Sequence, residues 1–289
     1  MSKKLSGSFE LVLNGGLGNQ LFGYAAGKSI EKETGLSCKF IRPASGDRSY
    51  ELHNFGIEAE SMSPLRSHPL NRKLTNRFMN RVRPNVFRFC ESSFRFDARF
   101  YHHPSGETLY GYFQSYRYLE NIKDQLLKLA DSHVPFSKEF KSLEEKWAKE
   151  NFIAVHVRRG DYIGKESYHG LASREYFRIA ADTVLGINPK AKFIVFSDSI
   201  DLAQKDFPDA VAYISSKNLP KSSENLILMT RMGGIIGSNS SLSWWVGFLN
   251  KRTKINQFPY PWFANSSLDT SDLIPPEWNT IESGISSSQ

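Results

Sequence analysis

Apolar runs and amphipathic segments alternate regularly along the second half of the chain. Short runs rich in isoleucine, valine and phenylalanine predict buried strands, and the segments between them carry apolar residues at the spacing of a helix face. Strands and helices that alternate in this way form a parallel sheet with right-handed crossovers. The predicted strands are 152–157, 192–196, 210–214, 234–236 and 254–258, and the predicted helices are 173–185, 202–207, 223–232 and 242–249.

The first half begins with the same pattern. Residues 9–13 predict a strand, a glycine-rich turn follows, and a helix is predicted over 19–34 because Gly35 ends it. The next strand is predicted over 38–41. Further elements are predicted at 66–83 (helix), 108–114 (strand), 119–130 (amphipathic helix) and 138–150 (solvated helix).

These elements predict an α/β fold with two Rossmann-like open-sheet domains. The Lys- and Glu-rich helix over 138–150 is the candidate connector between them. We therefore expect an N-terminal domain over residues 1–148, a C-terminal domain over 149–282 and a disordered, serine-rich tail over 283–289.

Composition agrees with a globular protein. The 289 residues are 40% hydrophobic and 13% aromatic. Cys38 and Cys90 are too few for a disulfide framework and do not have metal-ligand spacing. The first residues lack the apolar core of a signal peptide, and no run approaches the roughly 18 apolar residues that span a bilayer. These features predict a cytoplasmic protein, with peripheral contact to the inner face of the membrane left open.

The net charge of +7 has a local origin. Residues 66–99 carry nine basic side chains against two acidic ones, which matches the net charge of the whole chain, and phenylalanines are interleaved with them. Such a stretch either binds anionic lipid headgroups or forms a solvated face over an aromatic core. Nucleic acid is not expected as a partner, because no recognisable nucleic-acid-binding module accompanies the stretch.

The run FIAVHVRRGDY over 152–162 is the strongest chemical signal. A buried strand ends there in His156, Arg158, Arg159 and Asp161, and ligands of open α/β sheets bind beyond the carboxyl ends of strands. Arginine suits phosphate because its planar fork donates two parallel hydrogen bonds. Adjacent strand residues point to opposite faces, so both arginines serve one ligand only if the strand has already ended. An anion site and a structural salt-bridge cluster with Asp161 both remain open.

Two further segments carry candidate binding residues. The turn over Ser238, Asn239, Ser240 and Ser241 lies between a predicted strand and helix, so it predicts either an anion site or a helix cap. The glycine turn over 15–20 is not a dinucleotide fingerprint, because position 21 is leucine and the strand over 38–41 carries no acidic residue. We expect it to bring the backbone close to a cleft.

Together and in this order, the segments 11–22, 152–162 and 237–245 resemble the bacterial α-1,2-fucosyltransferases that use GDP-fucose. The chain therefore looks like a member of glycosyltransferase family 11. It also resembles the wider group of fucosyltransferases that share a His-x-Arg-Arg-x-Asp signature. Residues 196–198, 261–263 and 276–278 also correspond to related residues of the family. The resemblance implies a GT-B-like fold, in which two open-sheet domains face each other across a cleft.

The resemblance also implies an activity. The family transfers L-fucose from GDP-fucose to the 2-hydroxyl of a terminal galactose with inversion, here in surface polysaccharide synthesis on an acceptor that could be lipid-linked. The C-terminal half would bind the donor and the N-terminal half the acceptor glycan. Two alternatives stay open: another linkage, such as α-1,6, and a nucleotide- or glycan-binding module without turnover.

Residue roles follow from the resemblance and from chemistry. By resemblance, Arg158 meets the β-phosphate, Arg159 lies near the donor or pairs with Asp161, and Asn19 lies near the donor phosphate or sugar. Asp198 and His156 are candidates for the guanine end, because a carboxylate accepts from both guanine N–H groups, although His156 could instead be a core histidine. Related enzymes show Ser-Asp-Asp where this chain has Ser-Asp-Ser over 197–199.

No metal or other cofactor is expected. The chain has no Asp-x-Asp motif, since Asp198 and Asp201 have the wrong spacing, and fixed arginines can stabilise the leaving diphosphate instead. Inverting transfer also requires a group that takes the proton of the acceptor hydroxyl. Asp161 is the candidate base, and the leaving phosphate is the alternative.

Overall fold

The computed structural model describes residues 7–43, 48–62, 89–91, 93–102, 108–131, 136–159, 170–252 and 255–284. The chain divides into two compact units. Unit 1 comprises Met1–Leu126 and Thr270–Leu273, and unit 2 comprises Leu127–Asp269 and Ile274–Gln289. The division therefore falls earlier than the predicted boundary at 148, and a short late segment belongs to unit 1.

Unit 1 is built on a five-stranded sheet in which every described pairing is parallel. Helix α1 (Leu17–Thr34) follows the first strand and ends at Gly35, whose φ of 77° is the left-handed cap that glycine adopts readily. A second helix, α2, covers Lys123–Leu127, and the division between the units falls before its last residue. The sheet order is β3 (Glu60–Ser61), β2 (Ser37–Arg42), β1 (Ser8–Val12), β5 (Thr108–Tyr110), β4 (Phe89–Cys90).

Unit 2 contains a six-stranded parallel sheet. Its strands in spatial order are β11 (Asn279–Glu282), β10 (Asn256–Tyr260), β9 (Ile235–Gly237), β6 (Phe152–Val157), β7 (Lys192–Ser197) and β8 (Ala212–Ile214). Its helices are α3 (Lys138–Trp147), α4 (Arg174–Ile187), α5 (Ile200–Asp206), α6 (Ser222–Thr230) and α7 (Ser241–Leu249).

The core of unit 2 follows from the alternation of side chains along β6. Ile153, Val155 and Val157 point to one face of the sheet and pack with Tyr176 and Phe177 of α4. Residue 156 points to the opposite face. Because both faces of this central strand are covered, its sequence is a continuous apolar run that ends at the histidine.

The prediction of an α/β fold with two open parallel sheets is confirmed. Two details differ. The predicted strand over 108–114 ends at Tyr110, because the next N–H groups, at Tyr112 and Phe113, donate to Glu91 and Phe113 adopts a φ of 54° that is incompatible with a strand. The strand β11 was not predicted, because its sequence is polar and its side chains are mostly exposed.

Other expectations fall partly or wholly outside the described residues. The predicted helix over 66–83 and most of the basic stretch over 66–99 lie in the undescribed range 63–88. Of the predicted tail, Ser283 is fully buried and its N–H donates to the Tyr260 carbonyl at 2.8 Å, whereas 285–289 are not described. None of the helices in the described ranges is long and apolar enough to cross a membrane.

Candidate functional site at the carboxyl edge of the second sheet

The topology of unit 2 marks one position for a ligand. From β6 the chain runs outward to β7 and β8 on one side and then returns on the other side with β9, β10 and β11. Ligands of open α/β sheets bind beyond the carboxyl ends of the strands at such a reversal. In this sheet the reversal lies between β6 and β9, which are followed by Arg158 and by Ser238.

Asp198 fixes the backbone and the side chain at the end of β6. The register pairs Val157 with Ser197, so Arg158 and Asp198 emerge side by side. Nε of Arg158 lies 3.2 Å from Oδ2 of Asp198, and the backbone N–H of Arg159 donates to Oδ1 at 3.0 Å. Both side chains of the ion pair are one-quarter exposed. The carboxylate therefore holds the Arg158 guanidinium in a defined orientation at an accessible edge.

Arg159 points the other way and is buried. Its Nε donates to Oδ2 of Asp206 at 2.8 Å, and its Nη2 lies 2.6 Å from the same oxygen. Nη2 also donates to the carbonyl of Ala172 at 2.8 Å, and the guanidinium lies 5.9 Å from the centre of the Phe177 ring. These contacts favour a structural role for Arg159 rather than the predicted place near the donor.

His156 is a buried residue with a side-chain partner. It is 5% exposed, and its Nδ1 lies 2.6 Å from Oγ of Ser243 on α7. Its carbonyl accepts from the N–H of Ser238 at 3.0 Å. Of the two roles left open for His156, these contacts favour the core histidine over a guanine contact. The residue ties the end of β6 to the first turn of α7.

The turn over 238–241 connects β9 with α7 as the sequence predicted. Ser240 is the N-cap, and its Oγ accepts from the N–H of Leu242 at 3.3 Å. Oγ of Ser238 is buried and finds no hydrogen-bond partner within the part of the chain that the structure describes. Helix N-termini attract anions, and an unpartnered buried hydroxyl beside one is a ready donor to a ligand.

Asn239 has a different role in the same turn. It is 2% exposed, and its Nδ2 donates to the carbonyls of Trp262 at 3.0 Å and Gly170 at 3.3 Å. The side chain thus joins three loops and keeps the turn in place. The predicted base, Asp161, lies outside the described residues, in the range 160–169. Within the described ranges, no three His, Cys, Asp or Glu residues are grouped so as to hold a metal ion.

The carboxyl edge of the first sheet carries amide side chains. Asn19 lies in the first turn of α1, and its Oδ1 accepts from Nε2 of Gln114 at 2.8 Å. Gly15, with a φ of 72°, makes room for Asn19, because an added Cβ would lie 2.6 Å from its Nδ2. Gln20 is buried and donates to the carbonyls of Gly15 and Ser49, both at 2.8 Å, so it holds the glycine turn.

Glu91 at the same edge was missed by sequence reasoning. Its Oε2 accepts from the N–H groups of Tyr112 at 2.8 Å and Phe113 at 2.7 Å, while Oε1 is buried with no hydrogen-bond partner among the described residues. Burial raises the pKa of Glu91 to about 7, although the two N–H groups oppose this rise. The Glu91 carboxyl group stabilises a turn whose φ of 54° at Phe113 costs a non-glycine residue about 1–2 kcal/mol.

Substituting Glu91 with glutamine should change how stability depends on pH. The folded-state pKa of about 7 exceeds the ordinary value of 4.5, so the stabilising protonated form is lost as pH rises through 7. Glutamine keeps an acceptor and cannot ionise. Between pH 5 and pH 8, we expect Glu91→Gln to gain up to about 3 kcal/mol of unfolding free energy relative to the wild type.

Urea unfolding at both pH values measures this difference. An exposed carboxylate provides the control: Glu175→Gln, which lies on α4 and is 61% exposed, should change the difference between the two pH values little. If the unfolding free energies of Glu91→Gln and the wild type differ by the same amount at pH 5 and pH 8, the raised pKa of Glu91 is contradicted.

Two open parallel sheets, one of them with an oriented arginine at its chain reversal, define an α/β protein with a candidate anion-binding edge. The sequence profile described as Glycosyl transferase family 11 matches residues 1–282. The chain therefore belongs to glycosyl transferase family 11, and the relation to α-1,2-fucosyltransferases predicted from its motifs is confirmed.

Curated relatives extend over nearly the whole chain. An Escherichia coli alpha-1,2-colitosyltransferase is 27% identical over 93% of this chain and 97% of its own length. The E. coli O-antigen biosynthesis glycosyltransferase WbnK is also 27% identical, over 92% of this chain and 98% of its own. A Caenorhabditis elegans galactoside 2-alpha-L-fucosyltransferase is 24% identical over 94% of this chain and 76% of its own.

Solved structures show weaker likeness. The E. coli ADP-heptose LPS heptosyltransferase II is 12% identical and has a TM-score of 0.46, over 95% of this chain and 90% of that chain.

Proposed function

We propose that this glycosyltransferase moves L-fucose from GDP-fucose to the 2-hydroxyl of a terminal galactose, with inversion at the anomeric carbon. Membership of family 11 and the galactoside 2-alpha-L-fucosyltransferase among its relatives support the sugar and the linkage. The observation that carries the proposal is the arginine that Asp198 orients at the chain reversal of the second sheet.

Charge explains why an oriented arginine is needed. As the glycosidic bond breaks, negative charge grows on the β-phosphate, and fixed positive groups that are already in position stabilise it. Arg158 supplies the cation. The N-terminus of α7 and the buried hydroxyl of Ser238 supply further donors on the neighbouring strand end. No metal is required at the diphosphate in this arrangement.

The other predicted site residues position the site or have proposed contacts with the substrates. Asp198 orients Arg158 through its carboxylate, and His156 ties the end of β6 to α7 through Ser243. A contact of these two residues with the guanine remains part of the proposal. Ser240 and Asn239 hold the conformation of the turn over 238–241, which we propose to bind the phosphate. Asn19 remains a proposed contact of the donor sugar on the strength of the family resemblance. Asp161 remains the proposed base, with the leaving phosphate as the alternative.

A second donor is favoured by a specific relative. The E. coli alpha-1,2-colitosyltransferase supports colitose as the alternative donor sugar. Chemically, colitose is L-fucose without its 3-hydroxyl. A site that hydrogen-bonds this hydroxyl would reject colitose by roughly 10⁴- to 10⁵-fold, whereas an apolar site there would accept both sugars. The relative WbnK supports O-antigen synthesis as the setting.

One assay tests the donor, the linkage and the metal together. The protein is incubated in EDTA with GDP-fucose, GDP-colitose, GDP-mannose or UDP-galactose and with lactose or N-acetyllactosamine, and the released nucleotide and product are identified. We expect GDP release from GDP-fucose and a 2-O-fucosylated galactose at an undiminished rate in EDTA. Tight GDP binding without bond cleavage would instead indicate a binding module, and transfer to another hydroxyl would indicate a different linkage.

A further inference from the structure

The first sheet has its own chain reversal, and the function proposed above uses only Asn19 there. From β1 the chain runs outward to β2 and β3, and β5 and β4 lie on the opposite side of β1. The rule that places a ligand between β6 and β9 in the second sheet therefore also places one beyond the carboxyl ends of β1 and β5 in the first. The residues that follow these strands are 13–16 and 111–114.

The turn over 111–114 is held in an unusual conformation by two hydrogen bonds and by the packing of one aromatic ring. Glu91 accepts from two successive backbone N–H groups of this turn, at Tyr112 and Phe113. The Phe113 ring is buried against Phe100, with ring centres 5.4 Å apart. Gly111 lets the carboxylate approach, since an added Cβ would lie 2.6 Å from Cβ of Glu91. Backbone that the surrounding structure forces into such a conformation is concentrated at ligand sites.

This turn presents one large aromatic side chain to solvent. Tyr112 is 45% exposed, whereas Phe113 beside it is fully buried. The turn also joins the end of β1, because Gln114 donates to Asn19. The residues that follow β1 and β5 therefore belong to one surface, which consists of a glycine turn, amide groups and an exposed tyrosine.

The side chains at this edge select a neutral ligand. Residues 13–16 and 111–114 include no charged side chain, in contrast to the arginine at the second sheet, and the Glu91 carboxyl group at this edge is already bonded to the backbone of the turn. Amide groups both donate and accept hydrogen bonds, as sugar hydroxyls do. An exposed aromatic ring offers an apolar face to the C–H side of a pyranose. A polyhydroxylated neutral ring matches this combination, and a phosphate does not.

We propose that the turn Gly111–Gln114 binds the acceptor sugar, with Tyr112 packing against the pyranose ring of a neutral hexose. Tyr112 is then a specificity-determining residue for the acceptor, and Glu91 is the positioning residue that holds it. This inference rests on the function proposed above, because it presumes that an acceptor sugar is a substrate.

Acceptor kinetics test the proposal. Tyr112→Ala removes the ring, Tyr112→Phe keeps it, and Ile187→Ala, a residue at the end of α4 that is 62% exposed, is the matched control for lost apolar surface. With saturating GDP-fucose, we expect Tyr112→Ala to raise the acceptor KM about tenfold. Tyr112→Phe and Ile187→Ala should stay within about threefold of the wild type.

Donor measurements separate this site from the donor site. GDP affinity by calorimetry and GDP-fucose hydrolysis without acceptor should remain unchanged in Tyr112→Ala. An unchanged acceptor KM would overturn the proposal, and so would a fall in donor hydrolysis, which would assign the turn to the donor sugar.

The test remains decisive if the wild type cleaves no GDP-fucose. In that case the proposed function fails, and saturation-transfer NMR with methyl β-galactoside on the full chain decides this inference separately. Binding by the wild type that is lost in Tyr112→Ala would support it, and absent or equal binding would refute it.

Discussion

Replacing Arg158 with lysine should lower kcat/KM for the donor by about 10²- to 10⁴-fold while the protein folds normally. Charged hydrogen bonds contribute about 1.5–3 kcal/mol each, and a bidentate arginine makes two; each 1.36 kcal/mol of transition-state stabilisation is a factor of about ten in rate. In the structure, Nε of Arg158 is taken by Asp198. Lysine has a single charged nitrogen, so it cannot hold the carboxylate and span the phosphate at once.

Steady-state GDP release measures this loss, and circular dichroism with thermal unfolding checks the fold. Arg178→Lys is the matched control, because Arg178 lies on α4, is 60% exposed and pairs with Glu175 and Asp182 on the surface. That variant should keep wild-type kcat/KM. Asp198→Asn should lose less activity than Arg158→Lys, since the arginine remains but is less firmly oriented. Near wild-type turnover by Arg158→Lys would contradict the phosphate role.

Much of the second unit could be predicted from the sequence, because its signals are local. The strand β6 occupies the residues that its continuous apolar run indicated, Phe152–Val157, since both faces of the strand are covered. Helix α4 starts after Ser173, whose hydroxyl accepts from the N–H of Tyr176, as a capping serine does. In both cases the information lies within a few residues of the element.

Long-range pairing explains what could not be predicted. The strand β11 pairs with β10 although its own residues are polar, so only its neighbour identifies it as a strand. The strand β5 is cut short because Glu91 accepts the N–H groups that would otherwise continue the strand. Neither effect leaves a periodic trace in the sequence, because each depends on residues that are distant along the chain.

In the candidate site, too, local features could be predicted from the sequence and long-range contacts could not. The position of the two arginines at a strand end was predictable, and so was their divergence, because neighbours on a strand face opposite sides. Which of them is buried was not predictable, since it depends on Asp206 at the end of α5. The same holds for His156, whose partner Ser243 lies in the first turn of α7.

Replacing Arg159 with methionine should lower the stability of the protein and leave its activity nearly unchanged, whereas Arg158→Lys should lower activity and leave stability unchanged. Arg159 is 7% exposed, and its guanidinium satisfies Asp206 and the Ala172 carbonyl. Removing one partner of a buried ion pair leaves an uncompensated charge, so we expect a loss of about 3–5 kcal/mol of unfolding free energy. Because Arg159 is not proposed to contact the donor, the protein that remains folded should keep kcat/KM within about threefold of the wild type. Urea unfolding and GDP release under native conditions measure the two effects.

A double variant shows whether the unpaired aspartate causes the loss. In Arg159→Met with Asp206→Leu, the charge left behind is removed as well, and apolar replacement of a buried pair is often neutral. Most of the lost stability should return, and the two substitutions should be strongly non-additive. If Arg159→Met instead stays as stable as the wild type and loses activity as Arg158→Lys does, the phosphate role belongs to Arg159, and the assignment of the two arginines must be exchanged.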